Sequence, residues 1–274
     1  MHFWKYHGAG NDFILLDQRE RQWVRRDDTE KVARLCDRHF GIGANGLILL
    51  MAHPEYDFEM VYFNADGREG SMCGNGGRCI VAFAYRRGIQ KTHYRFWAVD
   101  GLHEAELTPT QSPQDFWVAL HMRDVQSIQP WTGTTAEEGQ AFVLDTGSPH
   151  YVQWVNDLDR KDMVQEGRAV RYSEPFRAEG INVNFVEPSP EGICIRTYER
   201  GVEDETLACG TGVTAAALAW HVRQGLASGA YEFPVLTRGG ELRVRFTASP
   251  QGGYTDIWLC GPATEVFSGE IPLH

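Results

Sequence analysis

The 274-residue chain is long enough for two ordinary domains, and its 42% hydrophobic and 23% charged residues are typical of folded globular proteins. This composition excludes a disordered chain. Aspartate and glutamate outnumber lysine and arginine by 37 to 26, and the resulting formal charge of −11 repels nucleic acid phosphates and anionic membrane surfaces. We therefore expect neither as the main partner, whereas the charge does not restrict small ligands.

The N-terminal sequence MHFWKYHGAGNDF lacks the charged-then-apolar layout of a signal peptide. The most apolar stretches, 46–52 and 213–222, are shorter than the ~20 residues that cross a bilayer. We therefore expect a cytoplasmic protein whose six cysteines are free thiols. No Cys-x-x-Cys pair is present in the sequence, which argues against a zinc ribbon and a thioredoxin-like site.

Short apolar or alternating runs predict strands. In chain order they span 12–16, 46–51, 58–63, 94–99, 117–122, 151–155, 183–186, 193–198, 241–246 and 255–260. Helices are predicted over 29–39 with a Thr cap, and over 75–87, 157–166 and 212–223. The helices over 75–87 and 212–223 run into Gly88 and Gly225, as expected where a left-handed residue ends a helix. The pattern predicts a strand-rich α+β fold.

Two segments, 63–88 and 197–225, share one pattern. Each is a predicted strand, an acidic turn and a Cys-Gly-x-Gly sequence that opens an alanine-rich helix ending at Arg-x-Gly. Such an internal repeat predicts two pseudo-symmetric domains. The stretch Thr108–Asp115 is the predicted hinge between them.

Cys73 and Cys209 both lie where a loop becomes a helix, and glycines follow each of them. The first N–H groups of a helix have no intrahelical partner, and together with the helix dipole they stabilise an anion. A thiol at this position has a lowered pKa, and the glycines let a ligand, most simply a carboxylate, approach the backbone. One such cysteine would be interpreted as structural, but two related by the repeat indicate function.

Two facing thiols suit the inversion of a stereocentre. One removes a proton from a carbon next to a carboxylate, the other returns a proton from the opposite side, and the helix N-termini stabilise the enolate-like charge. This chemistry requires no cofactor and no metal.

The motifs HGAGNDF (7–13), FNADG (63–67), MCGNGGRC (72–79), YERG (198–201) and ACGTG (208–212) resemble the diaminopimelate epimerase family. The resemblance implies an isomerase that interconverts LL- and meso-2,6-diaminopimelate, for lysine and peptidoglycan synthesis, without a cofactor. It implies a homodimer and two pseudo-symmetric α/β domains, each a barrel-like sheet around a central helix, with the active site between them. On this basis the predicted domains are 1–112 plus 263–274, carrying Cys73, and 113–262, carrying Cys209.

The resemblance also implies roles for individual residues. Cys73 and Cys209 would form the acid/base pair, supported by His150 and Glu199. The residues that it implies for substrate binding are Asn11, Asn64, Gly74, Asn75, Asn182, Glu199, Arg200, Gly210 and Thr211. Arginine suits a carboxylate because it donates two parallel hydrogen bonds, and glutamate suits an ammonium group.

Each of these residues also has a structural interpretation. A lone buried histidine is commonly structural, adjacent charges such as Glu199 and Arg200 commonly form a surface turn, and asparagines commonly cap turns. The remaining cysteines, Cys36, Cys79, Cys194 and Cys260, are interpreted as small apolar residues of the core. Two positions depart from the family pattern: Ser148 stands where Asn is common, and Asn45 stands where Asp is usual.

The sequence also admits other interpretations. The G-x-G-x-x-G sequence at 41–46 follows a predicted helix and precedes a predicted strand, the reverse of a dinucleotide-binding order. Pyridoxal phosphate needs a Schiff-base lysine, and none of the lysines lies in a motif. Another racemase or isomerase of the same fold, or a non-enzymatic thiol protein that binds metal or senses oxidation, remains as a rival function.

Overall fold

The computed structural model describes residues 1–133 and 141–272. The chain forms two compact units, one of Met1–Leu120 with Gly261–His274 and one of His121–Cys260. The units of the structure therefore divide at 120/121 and 260/261, whereas the domain boundaries predicted from the sequence lie at 112/113 and 262/263. The stretch 108–115, predicted as a hinge, joins two antiparallel strands of the first unit, so that it forms a hairpin connection there.

Strands outnumber helices in both halves of the chain. The first part contains β1 (His2–Gly8), β2 (Asn11–Asp17), α1 (Thr29–Cys36), β3 (Gly46–Met51), β4 (Phe58–Asn64), α2 (Gly74–Arg86), β5 (His93–Ala98), β6 (Gly101–Pro109) and β7 (Asp115–His121). The second part contains β8 (Gln129–Pro130), β9 (Ala141–Asp145), β10 (Pro149–Trp154), α3 (Met163–Arg171), β11 (Asn182–Ser189), β12 (Gly192–Glu199), β13 (Asp204–Thr206), α4 (Gly210–Arg223), β14 (Gly229–Thr237), β15 (Gly240–Ala248) and β16 (Tyr254–Glu270).

The sheet of the first unit closes on itself. Its strands follow the order β1-β2-β3-β4-β5-β6-β7-β16, and β16 also pairs with β1. The closing strand is the part of β16 from Gly261 onward, which pairs with β7 and then with β1. Closure leaves no strand edge among these eight strands, which form a barrel.

Helix α2 is the central helix of this barrel. Its residues from Asn75 to Ala84 are all buried, which is the pattern of a helix surrounded by other elements rather than lying on a surface. Gly76 and Gly77 permit this close packing, because a Cβ atom there would lie about 3 Å from the side chains of Ile48 and Leu120 respectively. The barrel therefore holds the N-terminus of α2 in a fixed place.

The second unit repeats the strand pairing of the first. The pairs β1–β2, β2–β3, β3–β4, β4–β5, β5–β6 and β6–β7 are antiparallel, parallel, antiparallel, parallel, antiparallel and antiparallel. The same order of antiparallel and parallel pairing is found in the second unit, in the pairs β9–β10, β10–β11, β11–β12, β12–β14, β14–β15 and β15–β16. Helix α4 is buried within the second unit as α2 is within the first. The internal repeat is thus a repeat of whole barrel-like units.

Two predicted helices differ from those observed. The first ends at Cys36 rather than at residue 39, because Asp37 is extended and its carboxylate accepts the N–H groups of His39 and Phe40 in a turn. The helix predicted over 157–166 is a short 3₁₀ turn at Leu158–Arg160 followed by α3. The latter begins where the Asp162 carboxylate accepts the Gln165 N–H. The expected Thr cap is also wrong, since Asp28 precedes α1 at the cap position.

Across the described ranges, 1–133 and 141–272, no helix has both the length and the apolar character needed to span a bilayer.

Candidate active site

Cys73 and Cys209 occupy the same position in the two units. Each is the N-cap of the buried central helix, with an extended backbone at φ −92°, ψ 128° and φ −110°, ψ 112° respectively. The first intrahelical bonds run from Gly77 N–H to Cys73 O (2.7 Å) and from Val213 N–H to Cys209 O (2.9 Å). Cys73 is half-buried and Cys209 is buried. The repeat therefore places one thiol at the start of each central helix.

The N–H groups of residues 74–76 and 210–212 precede these first intrahelical bonds. Such groups point out of the helix end and carry its partial positive charge. Neither helix, both fully described, has an acidic side chain in its first turn. These helix ends are suited to a carboxylate and to a thiolate.

In the first unit, Asn11 is linked to the start of α2. Asn75 Nδ2 donates to Asn11 Oδ1 (2.9 Å), and Asn75 Oδ1 in turn accepts from the Arg78 guanidinium (2.8 Å). Asn11 follows a tight turn in which Ala9 and Gly10 both have positive φ, of 50° and 87°. The turn and the buried Asn75 together fix where the Asn11 side chain lies.

Asn64 is at the end of β4 and is exposed. Its Oδ1 accepts from the hydroxyl of Tyr62 (3.0 Å), and its backbone carbonyl accepts from Gly67 N–H (2.9 Å) in the turn that follows. The second contact is made by the backbone and does not depend on the asparagine side chain. A substrate contact by Asn64 stays a prediction.

In the second unit, the Thr211 side chain lies between His150 and Cys209 and contacts both. His150 is fully buried in β10, and its Nε2 is 2.9 Å from Thr211 Oγ1, which is 3.5 Å from Cys209 Sγ. Burial lowers the pKa of His150 to about 3, and the charge of Arg200 acts in the same direction. His150 is therefore a neutral imidazole near neutral pH.

Glu199 is at the end of β12, and its Oε2 accepts from the Thr206 hydroxyl (2.9 Å). Burial raises the pKa of Glu199, and the Thr206 hydrogen bond acts against this rise. A partly buried carboxyl with a raised pKa is the kind of group found at catalytic and ligand-binding sites. Its role in this chain stays a prediction.

Ser148, the first departure from the family pattern, joins two other predicted site residues. Its Oγ accepts from Asn182 Nδ2 (2.8 Å) and lies 3.4 Å from Arg200 Nη2. Asn182 Nδ2 also donates to the carbonyl of Pro149, and Asn182 Oδ1 accepts from the backbone N–H of Arg200 (2.9 Å). The amide of Asn182 therefore links Ser148 and Pro149 to the backbone of Arg200.

Asn45, the second departure from the family pattern, is hydrogen-bonded to Asp12. The Asn45 N–H donates to Asp12 Oδ1 (3.0 Å), and Asn45 Oδ1 accepts from the Asp12 N–H (3.2 Å). Burial raises the pKa of Asp12, but its ion pairs with Arg38 and Lys5 outweigh burial and hold the pKa below its ordinary value. Asn45 thus completes a charged cluster without adding a further negative charge.

The other cysteines lie among apolar side chains. Cys36, Cys79 and Cys260 are buried, as predicted, whereas Cys194 is only half-buried on β12. Burial raises the pKa of Cys36 to about 12 and also raises those of Cys79 and Cys194, which makes all three thiols poor nucleophiles. All six cysteines are free thiols in this structure. Among the residues that the structure describes, no group of three or more His, Cys, Asp or Glu side chains is placed to hold a metal.

The G-x-G-x-x-G sequence at 41–46 lies between α1 and β3, in the order that the sequence predicted. Lys5, the buried lysine of the first unit, contacts the carbonyl of Gly43 and the carboxylate of Asp12. Its ammonium group therefore supports the cluster that holds Asp12 and Asn45.

The sequence interpretation missed Asn184. This residue is fully buried in β11, where its amide contacts His150, Tyr151 and Thr197. The available signal was its spacing: residues two apart in a strand face the same side, so Asn184 in INVNF shares a face with Asn182. A second asparagine in an otherwise apolar strand required a buried polar partner.

The comparisons with known proteins agree with this geometry. A family model described as diaminopimelate epimerase matches residues 3–124 and 142–257. The diaminopimelate epimerase of Flavobacterium psychrophilum is 43% identical over 272 residues, which cover 99% of this chain and 100% of the relative. That of Chlorobaculum tepidum is 44% identical over 269 residues, 97% of this chain and 99% of the relative. The chain belongs to the diaminopimelate epimerase family. The predicted resemblance is confirmed, and membership makes the chain an isomerase of the epimerase class.

Solved structures of low sequence identity share the fold. A phenazine biosynthesis protein of the PhzF family from Bacillus anthracis has a TM-score of 0.76 at 13% identity, covering 100% of this chain and 99% of that chain. A protein described as a probable proline racemase from Agrobacterium radiobacter has a TM-score of 0.71 at 16% identity, covering 100% of this chain and 93% of that chain. The predicted fold class, which is that of the diaminopimelate epimerase family, is confirmed.

Proposed function

We propose that this protein interconverts LL- and meso-2,6-diaminopimelate by cofactor-independent proton transfer at an α-carbon. The reaction serves the synthesis of lysine and of peptidoglycan precursors. The observation that carries the proposal is the matched position of two thiols, at the N-termini of the two buried central helices, in a member of this epimerase family.

In the proposed reaction, one cysteine acts as a thiolate and removes the α-proton, while the other acts as a thiol and donates a proton to the opposite face of the carbon. The C–H bond that breaks and the one that forms involve the same carbon, so that its configuration inverts. Cys73 and Cys209 exchange these roles when the reaction runs in reverse. The α-carboxylate takes up charge as the proton leaves, and N–H groups at residues 74–75 and 210–211 would stabilise that charge.

The remaining polar residues would select the substrate. Diaminopimelate carries a second carboxylate and a second ammonium group, which need anchors of their own. Arg200 suits a carboxylate and Glu199 suits an ammonium group, and the amides of Asn11, Asn64 and Asn182 offer donors and acceptors for the remainder. Asn182 contributes most simply through the Oδ1 lone pair that the Arg200 N–H leaves available.

We further propose that the enzyme is a cytoplasmic homodimer. Each subunit binds the small-molecule substrate, and neither nucleic acid nor a membrane is a partner. The free thiols support a reducing compartment, in which both catalytic cysteines remain reduced. Sedimentation analysis of the purified protein tests the dimer, and a monomer at all concentrations would contradict it.

The deciding experiment is hydrogen exchange at the substrate carbon. Reduced protein is incubated in D₂O with LL- or meso-diaminopimelate, without added cofactor, and the α-proton signal is followed by NMR. We expect the signal to disappear as the other isomer forms, and the Cys73→Ala and Cys209→Ala variants to abolish isomer formation. Exchange of proline or hydroxyproline instead of diaminopimelate would support a racemase of the same fold. No exchange by the wild-type protein with any of these substrates would overturn the proposal.

A further inference from the structure

A continuous line of polar contacts leads from Asn184 to Cys209 within the second unit. Asn184 Nδ2 is 3.1 Å from His150 Nδ1, His150 Nε2 is 2.9 Å from Thr211 Oγ1, and Thr211 Oγ1 is 3.5 Å from Cys209 Sγ. Asn184 and His150 are both fully buried, so solvent does not complete their hydrogen bonds. The direction in which each proton points can therefore be worked out from the neighbouring groups.

The orientation of the Asn184 amide is fixed at both ends. Its Nδ2 is 2.9 Å from the carbonyl oxygen of Tyr151, which can only accept, and its Oδ1 is 2.9 Å from the hydroxyl of Thr197, which can donate. A flipped amide would place two oxygens against each other at the Tyr151 carbonyl. The group that faces His150 is therefore the amide nitrogen, a donor.

This donor determines the tautomer of His150. An Nδ1 atom that accepts a hydrogen bond from Asn184 carries no proton, so a neutral ring must carry its proton on Nε2. The Nε2–H then donates to Thr211 Oγ1. Burial, which lowers the pKa of His150 to about 3, keeps the ring from taking up a second proton near neutral pH.

The Nε2–H group in turn orients the hydroxyl of Thr211. Because the Thr211 oxygen accepts the proton of His150 Nε2–H, its own hydroxyl proton is free to point away from the ring. Cys209 Sγ lies in contact with that hydroxyl oxygen. A hydrogen bond donated to sulfur favours the thiolate over the thiol, since it stabilises the charged form.

We propose that Asn184 is a positioning residue that holds His150 as the Nε2–H tautomer, and thereby directs the Thr211 hydroxyl proton to the sulfur of Cys209. This inference goes beyond the proposed function in naming Asn184 and the Thr211 hydroxyl. It rests on that function only for the claim that the Cys209 thiolate takes part in catalysis. Gly212 permits the arrangement, because a Cβ atom there would lie 2.5 Å from Asn184 Oδ1.

The first test reads the tautomer directly and needs no substrate. In ¹⁵N spectra of the protein labelled at histidine, we expect His150 Nδ1 to resonate as an unprotonated imidazole nitrogen and Nε2 as a protonated one. The Asn184→Asp variant replaces the donor with an acceptor of the same size, and we expect Nδ1 to become protonated. An Nδ1–H tautomer in the wild-type protein would overturn the proposal, whether or not the variant folds.

The second test measures the thiolate at Cys209. The rate at which iodoacetamide alkylates Cys209 is followed by mass spectrometry of its peptide, at one pH. We expect Thr211→Val to lower this rate about tenfold, the effect of about one pKa unit, and Thr211→Ser to restore it. Thr214→Val is the matched control, since it removes a buried threonine hydroxyl of the same helix that donates to the Gly210 carbonyl and takes no part in the contacts from Asn184 to Cys209. An equal loss in Thr211→Val and Thr214→Val would show a packing effect and overturn the proposal.

The third test separates positioning from binding. Because Thr211→Val keeps the backbone N–H proposed for the substrate, we expect kcat to fall about tenfold while KM changes little, and Thr211→Ser to recover most of kcat. A change in KM with kcat unaltered would contradict the inference. If the wild-type protein proves inactive on diaminopimelate, the proposed function fails while the spectroscopic and alkylation tests still decide the inference.

Discussion

Gly212 is the residue on which the packing around His150 and Asn184 depends. It lies in the first turn of α4, and a Cβ atom there would approach Asn184 Oδ1 to 2.5 Å and His150 Cε1 to 3.4 Å. The corresponding residue in the first unit is Gly76, which likewise lies three positions after the N-cap cysteine, and a Cβ there would meet the flexible end of Ile48 at 3.1 Å. The two glycines therefore form a natural matched pair.

We expect Gly212→Ala to lower the free energy of unfolding by about 1–3 kcal/mol, because a buried, hydrogen-bonded amide must move. Gly76→Ala should be close to neutral, since the tighter contact is offset by the roughly 1 kcal/mol that alanine gains over glycine within a helix. Urea unfolding of both variants measures the difference. Equal destabilisation of the two would contradict this account of Gly212.

The buried, neutral state of His150 predicts a pH dependence of stability. The unfolded chain takes up a proton at an ordinary pKa of 6.5, whereas the folded protein does so only at about 3. As the pH falls below about 6.5, His150 thus lowers the free energy of unfolding by up to about 1.4 kcal/mol per pH unit. His150→Gln removes this contribution. We expect the stability advantage of the wild-type protein over the variant to shrink between about pH 7 and about pH 5; a constant difference would contradict it.

At the residue scale, the sequence predicted the positions of Cys73 and Cys209 better than the contacts of the polar side chains. Cys73 and Cys209 could be found because a repeated Cys-Gly-x-Gly defines a local structure, the start of a helix. The partners of Asn182 and Ser148 could not be found in this way, because they come from strands distant in the chain. Side-chain networks of this kind depend on strand register, which no local pattern specifies.

At the scale of elements, the two central helices end in the same manner. Ile89 N–H donates to Ala84 O (3.0 Å) after α2, and Leu226 N–H donates to His221 O (3.4 Å) after α4. The glycine in each ending has positive φ, 95° at Gly88 and 60° at Gly225. The predicted left-handed residue is confirmed at both positions.

These φ values predict unequal costs of substitution. Within the left-handed region, a φ of 60° is close to the value that L-residues can adopt at about 1–2 kcal/mol, whereas a φ of 95° is reached readily only by glycine. Nothing lies within 4 Å of a Cβ at either glycine, so that sterics from neighbours do not differ. We expect Gly88→Ala to lower the free energy of unfolding more than Gly225→Ala does. Thermal unfolding of the two variants provides the comparison, and the reverse order would contradict it.

Two of the strands missed by the sequence analysis, β6 and β14, each carry a feature that obscures a strand pattern. In β6, glutamates alternate with the buried Ala105 and Leu107, and β14 contains a proline at a paired position. Pairing with neighbouring strands of the sheet stabilises both. Strands such as β3, with five buried residues in a row, were found because their apolar character is local.

At the scale of the whole molecule, the first barrel depends on the last strand of the chain. The part of β16 from Gly261 to Glu270 pairs with both β7 and β1. The internal repeat allowed two units to be predicted from the sequence. The apolar pattern predicted a strand only over residues 255–260, so it did not reveal the closing part of β16 from Gly261 onward.

Removing residues 261–274 should therefore open the first barrel. We expect a chain that ends at Cys260 to bind the dye ANS and to lose protection from hydrogen exchange in β1 and β7, whose edges are left unpaired. A chain lacking only 272–274 keeps every residue of β16 and is the control. If β1 and β7 kept their normal protection from hydrogen exchange in the chain that ends at Cys260, β16 would not be the closing strand.

The position of β16 also bears on how the protein is made. A ribosome synthesises the chain from its N-terminus, so β1 and β7 emerge long before the strand that joins them. The nascent first unit, with the helix that follows Cys73, must wait through synthesis of the entire second unit before its barrel closes. Chaperone binding during this interval, and rapid degradation of chains released early, would both act on the same two unpaired strand edges. A complete first unit is thus made only by a ribosome that reaches the last strand.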